Sequence, residues 1–443
     1  MATPDFESEE YKAYKHQLIK VNDIYKGTDT AVKYLRKFEK EADFEIRQQD
    51  TNLDNYVFRT VDTIKNIVFR KPIDITNLTN PLVIEWAEKI NHKDNLNEFS
   101  KKILTSRVRD GFTFILVDSV AYKSEEIITK ADQEKAGIRP YFVNILRSQV
   151  KNWQVDEYGQ FSVFSIFETY EEKTDRFKTE VKEQIRVYEL IEGKVQVSIW
   201  RDGAEVSEFT QILNIPIVPV VQVGRDMIPP LYDQAKINIA HLNRNSEKAN
   251  YVRVGACPFP IIKGQLENDT SKPQTLSINQ GLHFTDENGS FSWAETSGSN
   301  YEMIQTEIKY LEEQMERTSV EFATQIKNTT ATEVEKASTS NESKLTDYAT
   351  EIEQGINTAL ELLEWYKTNG SLGENTITVN KDFDSNILTN EQANFLLNLR
   401  TQGVLSYELL MDMLIQGELL PYLDKKERET EKLLLRDELG TIG

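Results

Sequence analysis

The stretch from Tyr301 to Tyr366 constrains this chain more than any other, because its apolar residues keep a helical period. Tyr301, Ile304, Ile308, Leu311, Met315, Phe322 and Ile326 recur at spacings of three and four, with Ser319 in the one gap, so they share one side of a helix. Glu302, Glu307, Lys309, Glu312, Glu313, Glu316 and Arg317 fall on the opposite side, a solvated and mostly acidic face. A helix from Tyr301 to Ile326 is roughly 40 Å long. Lys327-Asn328-Thr329-Thr330-Ala331-Thr332 then breaks the pattern with small polar and β-branched residues that favour caps and turns. A second helix follows from about Glu333, with Leu345, Tyr348, Ile352, Ile356, Ala359, Leu363 and Tyr366 on one face and Asn369-Gly370 as its stop signal. The residues alone fit an ordinary helical hairpin in a globular core. The acid bias of the first helix and a polar, glycine-free joint point instead to an accessible element kept for a purpose.

Composition bounds the rest. With 39% hydrophobic and 10% aromatic residues the chain can bury a core, and its 443 residues suit about two to four domains. A net charge of −20 excludes a conventional grip on nucleic acid, which needs basic patches against phosphates. The lone Cys257 forbids an internal disulfide or a cysteine zinc site, and His16, His92, His241 and His283 show no ligand spacing. The acidic start, Met1 to Glu7, lacks a secretory signal, and the longest apolar run, Ile212 to Val223, is broken by Asn214, Pro216 and Pro219. A soluble product of a reducing cytoplasm, with no membrane partner, is expected.

No phosphate loop, dinucleotide fingerprint, nucleophile elbow or His-Glu-x-x-His is present, so neither catalytic residues nor a metal or cofactor are expected. Carboxylate pairs such as Asp156/Glu157 and Asp382/Asp384 would serve a metal-dependent nuclease, but among 72 acidic residues close pairs arise by chance. His241 reads as a packing or interface residue. An acidic interaction protein without catalysis is the other reading.

Along the chain, Glu9 to Phe69 is helical, with Val57, Val61, Ile64 and Val68 as a core stripe and Pro72 as a stop. Another helix is expected from Asn80 to about Arg109, then a buried strand over Phe112 to Asp118. Lys123 to Gly137 is a charged excursion. From Pro140 to Val223 an antiparallel meander of about five strands is expected, turned at Tyr158-Gly159, Glu192-Gly193 and Asp202-Gly203. Pro229-Pro230 opens a helix with Leu231, Ala235, Ile239, Leu242, Ser246 and Ala249 inward, ending near Gly255. Cys257 to Glu295 is rich in proline and glycine, and Leu282 to Thr285 with Phe291 to Ala294 reads as a hairpin. A small β element thus separates two long helices. Thr376 to Phe383 reads as a strand, and Asn390 to Arg400, Ser406 to Gln416 and Asp424 to Leu439 as helices.

In this order the elements resemble the portal proteins of tailed bacteriophages. The resemblance rests on Val68-Phe69-Arg70-Lys71-Pro72, on Asp110-Gly111 leading to Ile115-Leu116-Val117-Asp118, and on Arg139-Pro140-Tyr141 with Val150-Lys151-Asn152-Trp153. It continues through Pro229 to Ala235 with Asn238-Ile239-Ala240-His241, then Leu311 to Met315 with Thr330-Ala331-Thr332-Glu333, and Leu388 to Leu420. Such an α+β portal fold has a helical wing with a β meander, a two-helix stem, a β-containing clip, a long kinked helix and a C-terminal helical crown. Carried over, the resemblance implies a wing over 1–228, stem helices over 229–255 and 300–326, a clip over 256–299, a long helix and return strand over 334–385, and a crown over 386–443. The joint Lys327, Asn328, Thr329, Thr330, Ala331, Thr332 and Glu333 would be the tunnel loop at the narrowest point. It further implies a homo-oligomeric ring, commonly of twelve subunits, at one capsid vertex. Its partners would be the large terminase subunit, the major capsid protein, a head-tail adaptor and double-stranded DNA passing through without tight binding. Glu302, Glu307, Glu312, Glu313 and Glu316 would face the channel, while Ile304, Ile308, Leu311, Met315 and Phe322 would pack on a neighbouring subunit.

Overall fold

The computed structural model describes residues 3–91, 93–119, 139–213, 215–255, 259–263, 288–294, 299–320, 331–368, 375–381, 383, 390–402 and 406–416, and it mixes helices with sheets. The N-terminal region is helical: α1 (Glu9–Lys26), α2 (Thr28–Ala31), α3 (Glu41–Asp50), α4 (Tyr56–Val68), α5 (Pro81–Glu88) and α6 (Leu96–Asp110). α1, α4, α5 and α6 each start where a short polar side chain takes an orphan amide. The Ser8 hydroxyl accepts from the Tyr11 amide, and the Asn55 side chain from that of Phe58. The single helix expected from Asn80 to Arg109 is two. Asn91 folds its side chain onto the amides of Lys93 and Asp94, and Asn95 caps a fresh start by accepting from Glu98. These asparagine turns outcompete the helical ladder.

The strands from 113 to 223 form two sheets rather than one meander. β1 (Thr113–Ser119) lies between β2 (Pro140–Leu146) and β9 (Val220–Val223). The second sheet runs β3 (Asn152–Val155), β4 (Phe161–Asp175), β5 (Lys178–Ile191), β6 (Lys194–Arg201) and β7 (Ala204–Glu205), with β8 (Gln211–Leu213) beside β6. Glu192-Gly193 and Asp202-Gly203 make the tight turns expected of them, all four with positive φ, the primed geometry that matches strand twist. β1 explains the division. Its Ile115 and Val117 face the helical core, while Phe114 and Leu116 face a second core with Phe164, Ile166, Tyr188 and Val195 of the six-stranded sheet. A strand buried on both faces reads as a continuous apolar run and not as an alternation.

Two long helices follow, α7 (Tyr232–Gly255) and α8 (Ser299–Val320), separated by a ribbon of β10 (Phe259–Lys263) paired antiparallel with β11 (Ser290–Ala294). Phe291–Ala294 pairs with Phe259–Ile262 at the start of the Pro/Gly-rich stretch, and Leu282 to Thr285, the partner expected for it, lies outside the described residues. α9 (Ala331–Thr368) is helical without a break over 38 residues, roughly 57 Å. Leu345, Tyr348, Ile352, Ile356, Ala359 and Leu363, the expected stripe, are buried against β1, β2 and β9 and the helices α4 and α6. Among its described residues, the segment from Thr376 to Phe383 forms no strand: only Thr378 bridges, to Asp74, because Asn357 and Glu353 of α9 accept from the Ile377 and Val379 amides at 2.8 and 2.9 Å. α10 (Asn390–Thr401) and α11 (Tyr407–Gln416) pack through Leu396 and Leu410. The excursion at 123–137, Asp382, Asp384 and the helix expected at 424–439 lie outside the described residues. Among the described residues, no helix is long and apolar enough to cross a membrane.

Candidate functional site

α7 and α8 form an antiparallel pair. Partners on α7 climb as those on α8 fall: Gln234 donates to the Met315 carbonyl (3.3 Å), His241 lies 3.2 Å from Glu312, Arg244 pairs with Glu307 (3.0 Å), and Lys248 sits over the Tyr301 ring (5.7 Å). The end of α7 and the start of α8 lead to the β10–β11 ribbon. The pair with its ribbon is thus a stalk.

Of the expected stem stripe, Ile308 and Met315 are buried, Ile304 and Leu311 half-buried, and Phe322 lies outside the described residues. Ile308 and Met315 are covered within the chain, on a helix that packs against α7 and α4. The five glutamates divide. Glu302, Glu313 and Glu316 are exposed, while Glu307 is held by Arg244 and Glu312 reaches the buried His241. His241 also meets Tyr56 edge-on at 5.9 Å. Of the joint, Lys327, Asn328, Thr329 and Thr330 lie outside the described residues. Ala331, Thr332 and Glu333 are helical and belong to α9.

Sequence patterning missed how the stalk is held. α7 buries Gln234, Asn238, His241, Asn243 and Ser246 as well as Ala235 and Leu242, with Leu231 buried just before it. The amides bind backbone. Asn238 accepts from the Tyr56 amide (3.1 Å) and donates to the Asp54 carbonyl (2.9 Å). Asn243 accepts from the Arg36 amide (2.8 Å) and donates to the Tyr34 carbonyl (3.1 Å). Ser246 meets Arg47 (3.0 Å) and Thr51 (2.8 Å). Asparagines are poor helix-interior residues, and their recurrence inside a 24-residue helix was the available signal.

Arg47 is only 5% exposed, paired with Glu39 and donating to the Arg36 carbonyl. The guanidinium hydrogen bond holds the Glu39 carboxyl below the usual glutamate range, against the opposing effect of burial. Its stabilisation is therefore present above the unfolded-state pKa and lost as pH falls through the depressed folded value. Glu39→Ala is expected to cost about 3 kcal/mol at pH 7, by leaving a buried cation short of its counter-ion. Urea unfolding should show that cost shrinking as the parent is acidified.

The Asp156 carboxylate accepts from the Tyr158 and Gln160 amides, both at 2.9 Å, and builds the turn before β4.

Residues 230–367 match a family model described as a domain of unknown function, DUF4055. The matched span begins at the head of α7 and ends at the foot of α9. No curated protein matches the chain. Many solved chains resemble it, two of them from gene transfer agent particles. One is a chain from the virion of a native gene transfer agent particle, at 12% identity and a TM-score of 0.43, over 83% of this chain and 90% of that one. The other is from the neck of an empty particle of that kind computed with C6 symmetry, at 11% identity and a TM-score of 0.40, with the same coverage of both chains. Likenesses at this level leave the reading to the chain's own geometry.

Proposed function

We propose that this chain is a portal protein: a ring, commonly of twelve copies, through which double-stranded DNA enters and leaves a tailed-phage-like capsid. The observation that carries the reading is the α7–ribbon–α8 stalk followed by the long α9, the stem, clip and wing-helix order that the sequence resemblance implies. The N-terminal helices and both sheets to residue 228 would be the wing, and the helices after residue 386 the crown. Terminase, capsid protein and a head-tail adaptor would be its partners. Assembly would begin in the bacterial cytoplasm and end in the virion.

The electrostatics suit transit. Each phosphate neutralised by a basic side chain adds counter-ion-release affinity, so a conduit should offer few. Glu302, Glu313 and Glu316, repeated around a ring, would repel the duplex, while Glu307 and Glu312 brace the stem. Lys327, Asn328, Thr329 and Thr330 would touch DNA at the constriction through weak, sequence-blind contacts, with Lys327 the attractive charge.

Electron microscopy of purified particles should show a closed annulus wide enough for a duplex, and a small solid particle would refute the proposal. Thr330→Leu or Lys327→Glu rings should assemble yet package DNA poorly. Unchanged packaging would remove the joint from the channel wall.

A further inference from the structure

The β4–β5 hairpin outruns its sheet. β3 pairs with β4 only as far as Ser165, and β6 reaches only Ile185 of β5, yet the β4–β5 ladder runs on from Glu168 opposite Gln184 to Asp175 opposite Lys178. Arg201 stacks on Tyr170 at 3.8 Å and steadies the base. Beyond it a two-stranded arm projects, reaching roughly 20 Å past the sheet. Such a ribbon is marginal alone in water. Its tip carries Phe177, 89% exposed, with the Arg176 guanidinium 5.2 Å from its ring. Lys173 to Lys178 holds three basic residues and one acid, a local excess of positive charge in a chain of net charge −20.

At the base of the same hairpin lies a groove of about 640 Å³. Phe167, Ile185 and Trp200, cross-strand neighbours on one face, line it, and Asp5, Glu183 and Asp202 supply carboxylates. Lys151 also lines it, but sits over Phe167 at 4.0 Å and near Glu7 at 3.9 Å. The volume falls in the range of pockets that bury a compact ligand. The ladder holds each tip well away from its own groove.

We propose that the arm tip Arg176-Phe177-Lys178 of one copy docks into this groove on a second copy. Phe177 would pack on Phe167, Ile185 and Trp200, while Arg176 and Lys178 face Asp5, Glu183 and Asp202. An aromatic anchor flanked by arginine is what dominates interface energies. Tip and groove are different patches, so the contact is head-to-tail and closes where its rotation permits. It extends the ring reading, on which its closed arrangement rests, to a named contact outside the stalk.

The test uses the full-length chain with Cys257→Ser, Thr169→Cys at the groove and Thr174→Cys near the tip, treated with a short bismaleimide. Interchain species should form, and Phe177→Ser should lower their yield by about tenfold or more, with unchanged circular dichroism because Phe177 is exposed. Arg176→Glu should weaken the cross-link and Glu183→Arg should restore it. A chain that never links to itself at any concentration, as when a different protein occupies the groove, overturns the proposal. So does a yield that Phe177→Ser leaves unchanged. Cross-links without an annulus would sink the channel and keep the docking. An annulus without cross-links would do the reverse.

Discussion

Gly224→Ala should destabilise the chain by roughly 3–5 kcal/mol, a cost typical of breaking buried charge contacts. Gly224 has a φ of +84°, and a Cβ there would lie 2.1 Å from Arg107 Cδ and 2.8 Å from the Gly111 carbonyl. Arg107 cannot swing aside cheaply. It is 4% exposed, bound to Glu351 at 2.6 and 3.1 Å and to Asp226 at 2.9 Å, and stacked 5.0 Å from the Tyr348 ring. Glu351 and Tyr348 belong to α9, so the clash would loosen the long helix from β9. Gly111→Ala should be as severe, since its Cβ would meet the Asp226 carbonyl at 2.2 Å with φ at +90°. Denaturant unfolding followed by far-ultraviolet dichroism measures both, and a cost under about 1 kcal/mol would contradict the packing described.

The second large effect concerns charge. On the proposed portal reading, rings carrying Glu302→Lys, Glu313→Lys and Glu316→Lys together should hold duplex DNA that the parent would release. The gain should be roughly a thousandfold at low salt, and the affinity should fall steeply as salt rises. Glu307 and Glu312 are spared because they brace Arg244 and His241, and their loss would confuse binding with a damaged stem. Anisotropy of a labelled duplex across a salt series gives the result. Equal weak binding by parent and variant would mean that this face of α8 does not meet DNA.

Much of this was legible in the residues. The stripe of α9, the buried run of β1 and the turns at Gly193 and Gly203 follow directly from period and turn chemistry. What misled was local competition. Asn91 and Asn95 divide one expected helix into two. Asn357 and Glu353 take amides that a strand at Thr376 would have needed. Patterning by hydrophobicity is also blind to a helix held by its amides, so α7 showed only half of its contacts. The acidic face of α8 was legible as a face, but which carboxylates are spoken for depends on α7 lying alongside, and no spacing rule supplies that.

The buried asparagines of α7 have a geometric consequence. Apolar surfaces tolerate sliding, whereas Asn238 and Asn243 each grip a donor and an acceptor on the loops around Asp54 and Arg36, and these bonds weaken steeply when misaligned. They act as a protractor, fixing the angle at which the stalk leaves the body. On a helix roughly 36 Å long, a tilt of about 5° swings the far end by about 3 Å. In the ring proposed for this chain, copies whose stalks left at unequal angles would spiral, and the last would miss the first.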